Sequence, residues 1–468
     1  MGHRHRTALL GLVALLLTLP AATSAAAAPA DAGSRLAHTA VEFTSADGTR
    51  LHGELVAPQG VSDAPGLAMI AGAGPVAMDE LRPAAEAYAA HGIPTLIWDK
   101  RTAGYSTLSR DYDRLADDAL AAVQLLHSRP EIDPNRVGLW GLSEGAWVAT
   151  LAAGRTSEVS FVVTAGAVGL SPARQQAWAY GEFLRHAGIG GSLVPTMQST
   201  LIRELSAAGL FPEADYDPVP AWERLRLPVL AEWGTLDREA VPAESERIVR
   251  DALDRAGNRH YTIRNVPDVR HNLRRSFADG FDRPSQLPDD YADFESRWIT
   301  GLATGLPPVS VDAAPAQEHA SRPLAPLGWY ESPWVQAASA VVCLLGFVGH
   351  LATGAVRRLR RRPAPVGVPR PARWAALTGT FAVVGTPLYL LFMAITAAAL
   401  PGPVLLGRPV VWSVLQLASV ATVVAVALTV AAAVRSHPAN GSRVRLGLLA
   451  LSGAVFVPWA LYWGLLRP

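Results

Sequence analysis

The chain has 468 residues, half of them hydrophobic and 17% charged, with a mean hydropathy of +0.19. These values exclude a predominantly disordered chain, and the length exceeds what one small domain needs. The net charge of +1 conceals a split, because no acidic residue follows Glu331 whereas twelve arginines do; residues 1–331 carry −11 and residues 332–468 carry +12. An acidic first body argues against nucleic-acid binding, and a single cysteine, Cys343, excludes internal disulfides and a cysteine-based metal site.

The N-terminus reads as an export signal. His3, Arg4, His5 and Arg6 precede an apolar run at 8–19, which is too short to span a bilayer comfortably. Pro20 and the small residues 25–28 follow, as a signal peptidase site requires, so a cleaved signal peptide is expected over 1–28. An uncleaved anchor is the alternative, and either one places the following residues outside the cytoplasm. No cysteine lies near the cleavage region, which excludes a lipoprotein anchor. Lys100 is the only lysine among 41 basic residues, which, with the Ala, Gly and Pro content, suggests a GC-rich bacterial genome.

Residues 36–303 alternate in the manner of an α/β domain. The runs 41–43 and 51–56 flank Asp47-Gly48, a hairpin signal. Short apolar runs at 67–70, 95–98, 137–140, 161–164 and 229–233 suit buried parallel strands. Between them Leu115, Ala119, Val123 and Leu126 fall on one helical face. The segment 171–225 breaks the rhythm with helical stretches bearing Trp178, Tyr180, Phe183, Leu193, Leu201 and Leu205; it reads as a cap insertion over a site or as ordinary helical packing. Residues 304–331, rich in Pro and Ala, read as a linker.

Within 332–468, four uncharged stretches at 334–356, 375–400, 410–434 and 446–466 are each long enough to cross a hydrocarbon core of about 30 Å. The loops 357–373 and 435–445 hold ten arginines, while the loop 401–409 and the tail hold two. Positive charge resists translocation, so the ten-arginine side is expected in the cytoplasm and the start of the first span outside. The export signal requires the same placement independently.

The strongest chemical signal is Gly141-Leu142-Ser143-Glu144-Gly145, entered by an apolar strand and followed by a helical run. A strand running straight into a helix forces a strained turn that lifts the Ser143 hydroxyl clear, and backbone crowding there demands small neighbours. A serine hydroxyl needs a base. Of the twelve histidines His271 is best placed, after the strand-like run 261–266 and a short loop. The base needs a carboxylate, and Asp237 follows the strand 229–233; Asp268, near His271 in sequence, is the rival. Two donors should face the developing oxyanion: the backbone N–H of Glu144, heading the helix, and that of Ala73 in the turn Ala71-Gly72-Ala73-Gly74-Pro75. That turn lacks the Lys and Ser/Thr of a P-loop.

Five segments, AGAGP at 71–75, WDKRTAGYST at 98–107, RPEIDPNRVGLWGLSEGAW at 129–147, GTLDREAVP at 234–242 and VRHNL at 269–273, together resemble the α/β-hydrolase superfamily. Within it they are most similar to the dienelactone-hydrolase-like and serine-aminopeptidase-like bacterial esterases. The resemblance covers residues 38–303 and implies an α/β-hydrolase fold, a mostly parallel sheet flanked by helices, followed here by an all-α transmembrane bundle outside the resemblance. It implies Ser143, Asp237 and His271 as catalytic triad, and Ala73 and Glu144 as oxyanion hole. The sequence departs from the family where Ala71-Gly72 replaces the usual His-Gly, and where Thr102 replaces the Gly after Asp-Lys-Arg.

The expected protein is therefore a membrane-anchored, extracytoplasmic serine hydrolase acting on a small acyl ester, with no metal or organic cofactor. Serine peptidase and thioesterase are alternatives within the fold. The rival class is a non-enzymatic sensor or binding protein signalling through its four helices.

Overall fold

The computed structural model describes residues 35–106, 108–361, 369–436 and 440–468. The expected 1–28 signal peptide lies outside them.

Residues 36–311 form an α/β domain around one sheet. Its strands are β1 (Leu36–Thr44), β2 (Arg50–Pro58), β3 (Ala64–Ile70), β4 (Thr95–Trp98), β5 (Ile132–Leu142), β6 (Phe161–Ala165), β7 (Val229–Gly234), β8 (Tyr261–Val266) and β9 (Ser310–Val311). Their order is β1-β2-β4-β3-β5-β6-β7-β8-β9. β1 and β2 form an antiparallel hairpin around the Asp47-Gly48 turn, β2 also pairs antiparallel with β4, and every pairing from β4 through β3 to β9 is parallel. The fold class expected from sequence is the one found, for the expected reason. β3, β4, β6 and β7 are buried along their whole length, as strands covered on both faces must be.

Three helices fix the core on either side. α2 (Tyr112–His127) is capped by the Asp111 side chain, which accepts the Arg114 N–H at 3.1 Å, and its stripe Leu115, Ala119, Val123 and Leu126 is buried. α3 (Glu144–Ala153) packs beside it through Trp147 and Val148. α1 (Arg82–Ala90) covers the opposite face with Ala85 and Tyr88. Each fully buried large side chain contributes about 1.5–3 kcal/mol of apolar transfer. Because β3, β5, β7 and β8 are parallel, the loops after them emerge along one edge, where open α/β sheets place their binding crevices.

The insertion between β6 and β7 begins with α4 (Pro172–His186) and continues through helical turns over Leu193–Pro195, Thr196–Leu201 and Ile202–Ala207. It does not pack on the α/β core alone. Tyr180, Phe183, Leu193, Met197 and Ile202 share one apolar core with the C-terminal helices. Those helices, Pro333–Leu359, Pro371–Ile395, Val410–Ser436 and Asn440–Tyr462, are long and apolar enough to cross a membrane.

Polar contacts run along the junction. Ser192 Oγ accepts N–H bonds from Gln416 (3.1 Å) and Trp412 (3.3 Å), and Tyr180 Oη donates to the Ala394 carbonyl at 3.3 Å. Tyr462 Oη donates to Glu204, Arg203 pairs with Glu331 at 2.6 Å, and the Gly190 N–H donates to the Gly407 carbonyl at 2.9 Å. All of these lie at one end of the bundle. The segment 304–331 is also tied down: β9 extends the sheet, and Ser321 bonds Glu244 through its N–H (2.7 Å) and hydroxyl (2.6 Å).

Candidate active site

Ser143 sits between β5 and α3 with φ 55° and ψ −113°, a conformation few non-glycine residues adopt and one that costs on the order of 1–3 kcal/mol. Its N–H donates to the Ala165 carbonyl at the end of β6 (2.9 Å), and its carbonyl accepts the Ala146 N–H (2.9 Å). The flanking glycines leave no room for a side chain. A Cβ on Gly141 would lie 2.2 Å from the Gly145 carbonyl oxygen, and one on Gly145 would lie 2.2 Å from the Ile70 carbonyl oxygen. The second contact seats the turn directly against the end of β3, from which the 71–75 turn departs.

Asp237 follows β7 in a turn closed by its own N–H to the Gly234 carbonyl (3.0 Å). Its Oδ1 accepts the N–H groups of Glu239 (2.7 Å) and Ala240 (2.8 Å), and its Oδ2 lies 2.9 Å from His271 Nδ1. Both side chains are buried. The backbone of 269–270 crosses so close to Gly234 that a Cβ there would lie 2.2 Å from the Val269 carbonyl oxygen, which is what carries His271 to the Asp237 carboxylate. Asp268 is exposed and its N–H is engaged by Thr235 Oγ1 (3.1 Å). The His271 ring lies against the backbone of Gly166, the residue after Ala165, whose carbonyl holds Ser143. Four successive strand ends, those of β5, β6, β7 and β8, thus bring Ser143, Gly166, Asp237 and His271 to one edge.

Electrostatics reinforce the pair. Burial would push the Asp237 carboxyl up, but the His271 charge, the hydrogen bond to it and the two backbone N–H donors outweigh burial and hold it below the usual carboxylate range. Burial would push the His271 imidazole down, but Asp237 outweighs it and leaves the imidazole above its ordinary value. With Nδ1 facing Asp237, Nε2 is the nitrogen left for another partner.

The turn 71–75 has exposed Ala73 at its centre, held from both sides. Lys100 Nζ donates to the Gly72 carbonyl, and the Gly74 N–H donates to Tyr105 Oη at 2.9 Å. Glu144, expected to act through its backbone N–H, has a buried side chain that gathers this cluster: Oε1 accepts from Lys100 Nζ (2.8 Å) and Tyr105 Oη (2.7 Å), and Oε2 pairs with Arg110 (3.2 Å). Sequence reasoning missed Lys100, Tyr105 and Arg110. One signal was present: in a chain whose other basic residues are all arginine, position 100 keeps a lysine.

Residues 107–293 match the prolyl oligopeptidase family. The domain that contains this match has the α/β-hydrolase fold. The hydrolase domain is also similar to curated fungal proteins. The thiohydrolase aneE of Aspergillus aculeatus is 33% identical over 131 residues, 27% of this chain and 41% of that protein. The polyketide transferase claH of Penicillium crustosum is 30% identical over 134 residues, 27% of this chain and 44% of that protein. The chain thus spans about two fifths of the length of these relatives. Among solved structures, brefeldin A esterase, a bacterial homologue of human hormone sensitive lipase, aligns at 20% identity with a TM-score of 0.41, covering 60% of this chain and 80% of that one.

The raised imidazole of His271 has a kinetic consequence if it serves as a base, since only the neutral ring accepts a proton. The acidic limb of kcat/KM should then lie above that of a free imidazole. Asp237→Asn removes the attraction that raises it, so the limb should move to lower pH while kcat falls by about 10⁴. A pH–rate profile of the two proteins checks this; a limb at the same pH in both would contradict the assignment.

Proposed function

We propose that the protein is a membrane-anchored, extracytoplasmic serine hydrolase that cleaves an acyl bond, a carboxylic ester first, through Ser143, His271 and Asp237. The observation that carries this reading is the buried 2.9 Å pair of Asp237 and His271 at the sheet edge where Ser143 sits in its strained turn.

In this mechanism His271 Nε2 takes the Ser143 proton as Oγ bonds to the substrate carbonyl carbon. Asp237 holds the tautomer and stabilises the imidazolium. The N–H groups of Ala73 and Glu144 stabilise the tetrahedral oxyanion, each such donor being worth about 3 kcal/mol of barrier. The imidazolium protonates the leaving alcohol, giving an acyl-enzyme on Ser143. His271 then deprotonates water, which attacks the acyl carbon, and the proton returns to Ser143 as the acid leaves. A thioester is the second acyl bond under this reading, because one of the similar fungal proteins is a thiohydrolase.

Ser143→Ala should abolish both ester turnover and fluorophosphonate labelling of the purified full-length protein while leaving its thermal unfolding unchanged. Undiminished labelling would contradict the nucleophile.

The extracytoplasmic placement is supported by arginine. The helix ends bearing Arg357, Arg358, Arg443 and Arg445 are opposite those that meet the hydrolase domain. The positive-inside tendency puts those arginines in the cytoplasm and the hydrolase domain across the membrane. Leu306 is exposed on the hydrolase side, and the one native cysteine, Cys343, is buried. Leu306→Cys should therefore react with a membrane-impermeant maleimide in intact cells; reaction only after lysis would contradict the placement.

A further inference from the structure

Forty of the 41 basic residues are arginine, and the exception is buried at the base of the turn that carries Ala73. Lys100 Nζ meets three acceptors from three parts of the fold. They are the Gly72 carbonyl in the turn, Glu144 Oε1 at the head of α3 (2.8 Å), and Tyr105 Oη in the 101–111 loop (3.3 Å). An ammonium has three donors on one compact tetrahedral atom and can serve three acceptors converging on a point. A guanidinium spreads its donors over a planar fork and has no geometry for this.

The second half of the clamp is Tyr105. Its hydroxyl donates to Glu144 Oε1 (2.7 Å) and accepts the Gly74 N–H (2.9 Å). Glu144 Oε1 therefore reaches the turn on both sides of Ala73, through Lys100 to Gly72 and through Tyr105 to Gly74. The carboxylate belongs to the residue whose own N–H is the other proposed oxyanion donor. Arg110 on Oε2 (3.2 Å) compensates the buried charge further, so one carboxylate faces two cations.

We infer that Lys100 is a positioning residue that, with Tyr105 and the Glu144 side chain, sets the Ala73 N–H in register with the Glu144 N–H so that both meet one oxyanion. The inference rests on the hydrolase reading above. It explains why the single lysine occurs here, and it gives Glu144 a role for its side chain beyond that of its backbone.

The test uses the full-length protein in detergent, with fluorophosphonate titration to count competent Ser143 sites and p-nitrophenyl acetate to read kcat and KM per titrated site. Lys100→Arg keeps the charge but moves the terminal donors, and it should lower kcat per site about 100-fold with KM within about threefold, the penalty expected for a donor misplaced by about 1 Å. Tyr105→Phe keeps the ring in place and should lower kcat per site about tenfold. A merely structural role would appear as fewer titratable sites and a lower Tm with kcat per remaining site unchanged, and that result would overturn the inference, as would wild-type kcat in both variants. Failure of the underlying reading looks different, because the wild-type protein itself would then be unlabelled at Ser143.

Discussion

A serine held at φ 55° between a strand and a helix persists only where the surrounding backbone leaves it no alternative, and the order of the sheet provides that condition here. The ends of β3, β5 and β6 close on the turn together. Ile70 of β3 meets Gly145, Gly145 meets Gly141 of β5, and Ala165 of β6 binds the Ser143 N–H. These contacts are between backbone atoms, so no side-chain repacking relieves them. The same crowding recurs one and two strands on, where Gly166 admits the His271 ring and Gly234 admits the chain that carries it. The arrangement is therefore set by the close spacing of the strand ends.

Two structural bodies of opposite charge are joined through the insertion. Its helices share a core with the apolar helices, and the junction is sealed by small polar groups such as Ser192 and Gln416, whose hydrogen bonds are satisfied within it. The hydrolase domain is thus fixed to one end of the bundle, and the 304–331 segment, bonded to Glu244 and Arg203, adds a second attachment. Such a mount fixes the height and orientation of the sheet edge relative to the apolar helices, which a flexible tether would not.

Much of the sheet was legible because buried parallel strands leave a plain mark, short apolar runs at domain-like spacing, and α2 announced itself by a stripe that the structure buries. The turn at Ser143 was legible from the two glycines that the backbone contacts demand. The rest depended on contacts between distant residues. Lys100 stood out in composition, but nothing local indicated that its partners would be Gly72, 28 residues away, and Glu144, 44 residues away. Asp237 was preferred to Asp268 from its place at a strand end, but the route by which His271 reaches it, the path of 269–270 past Gly234, had no local sign. The joining of the insertion to the bundle left no pattern, because its contacts pair residues more than 200 positions apart, such as Ser192 with Gln416 and Glu204 with Tyr462.

The account is tested most directly by an experimental structure of the protein after reaction with a fluorophosphonate. It predicts a phosphorus–Oγ bond on Ser143, a phosphoryl oxygen within about 3 Å of the N–H groups of both Ala73 and Glu144, and His271 Nε2 within hydrogen-bond reach of Oγ. Phosphorus on another residue, or an adduct at Ser143 with His271 turned away and the phosphoryl oxygen unbound by either amide, would contradict it.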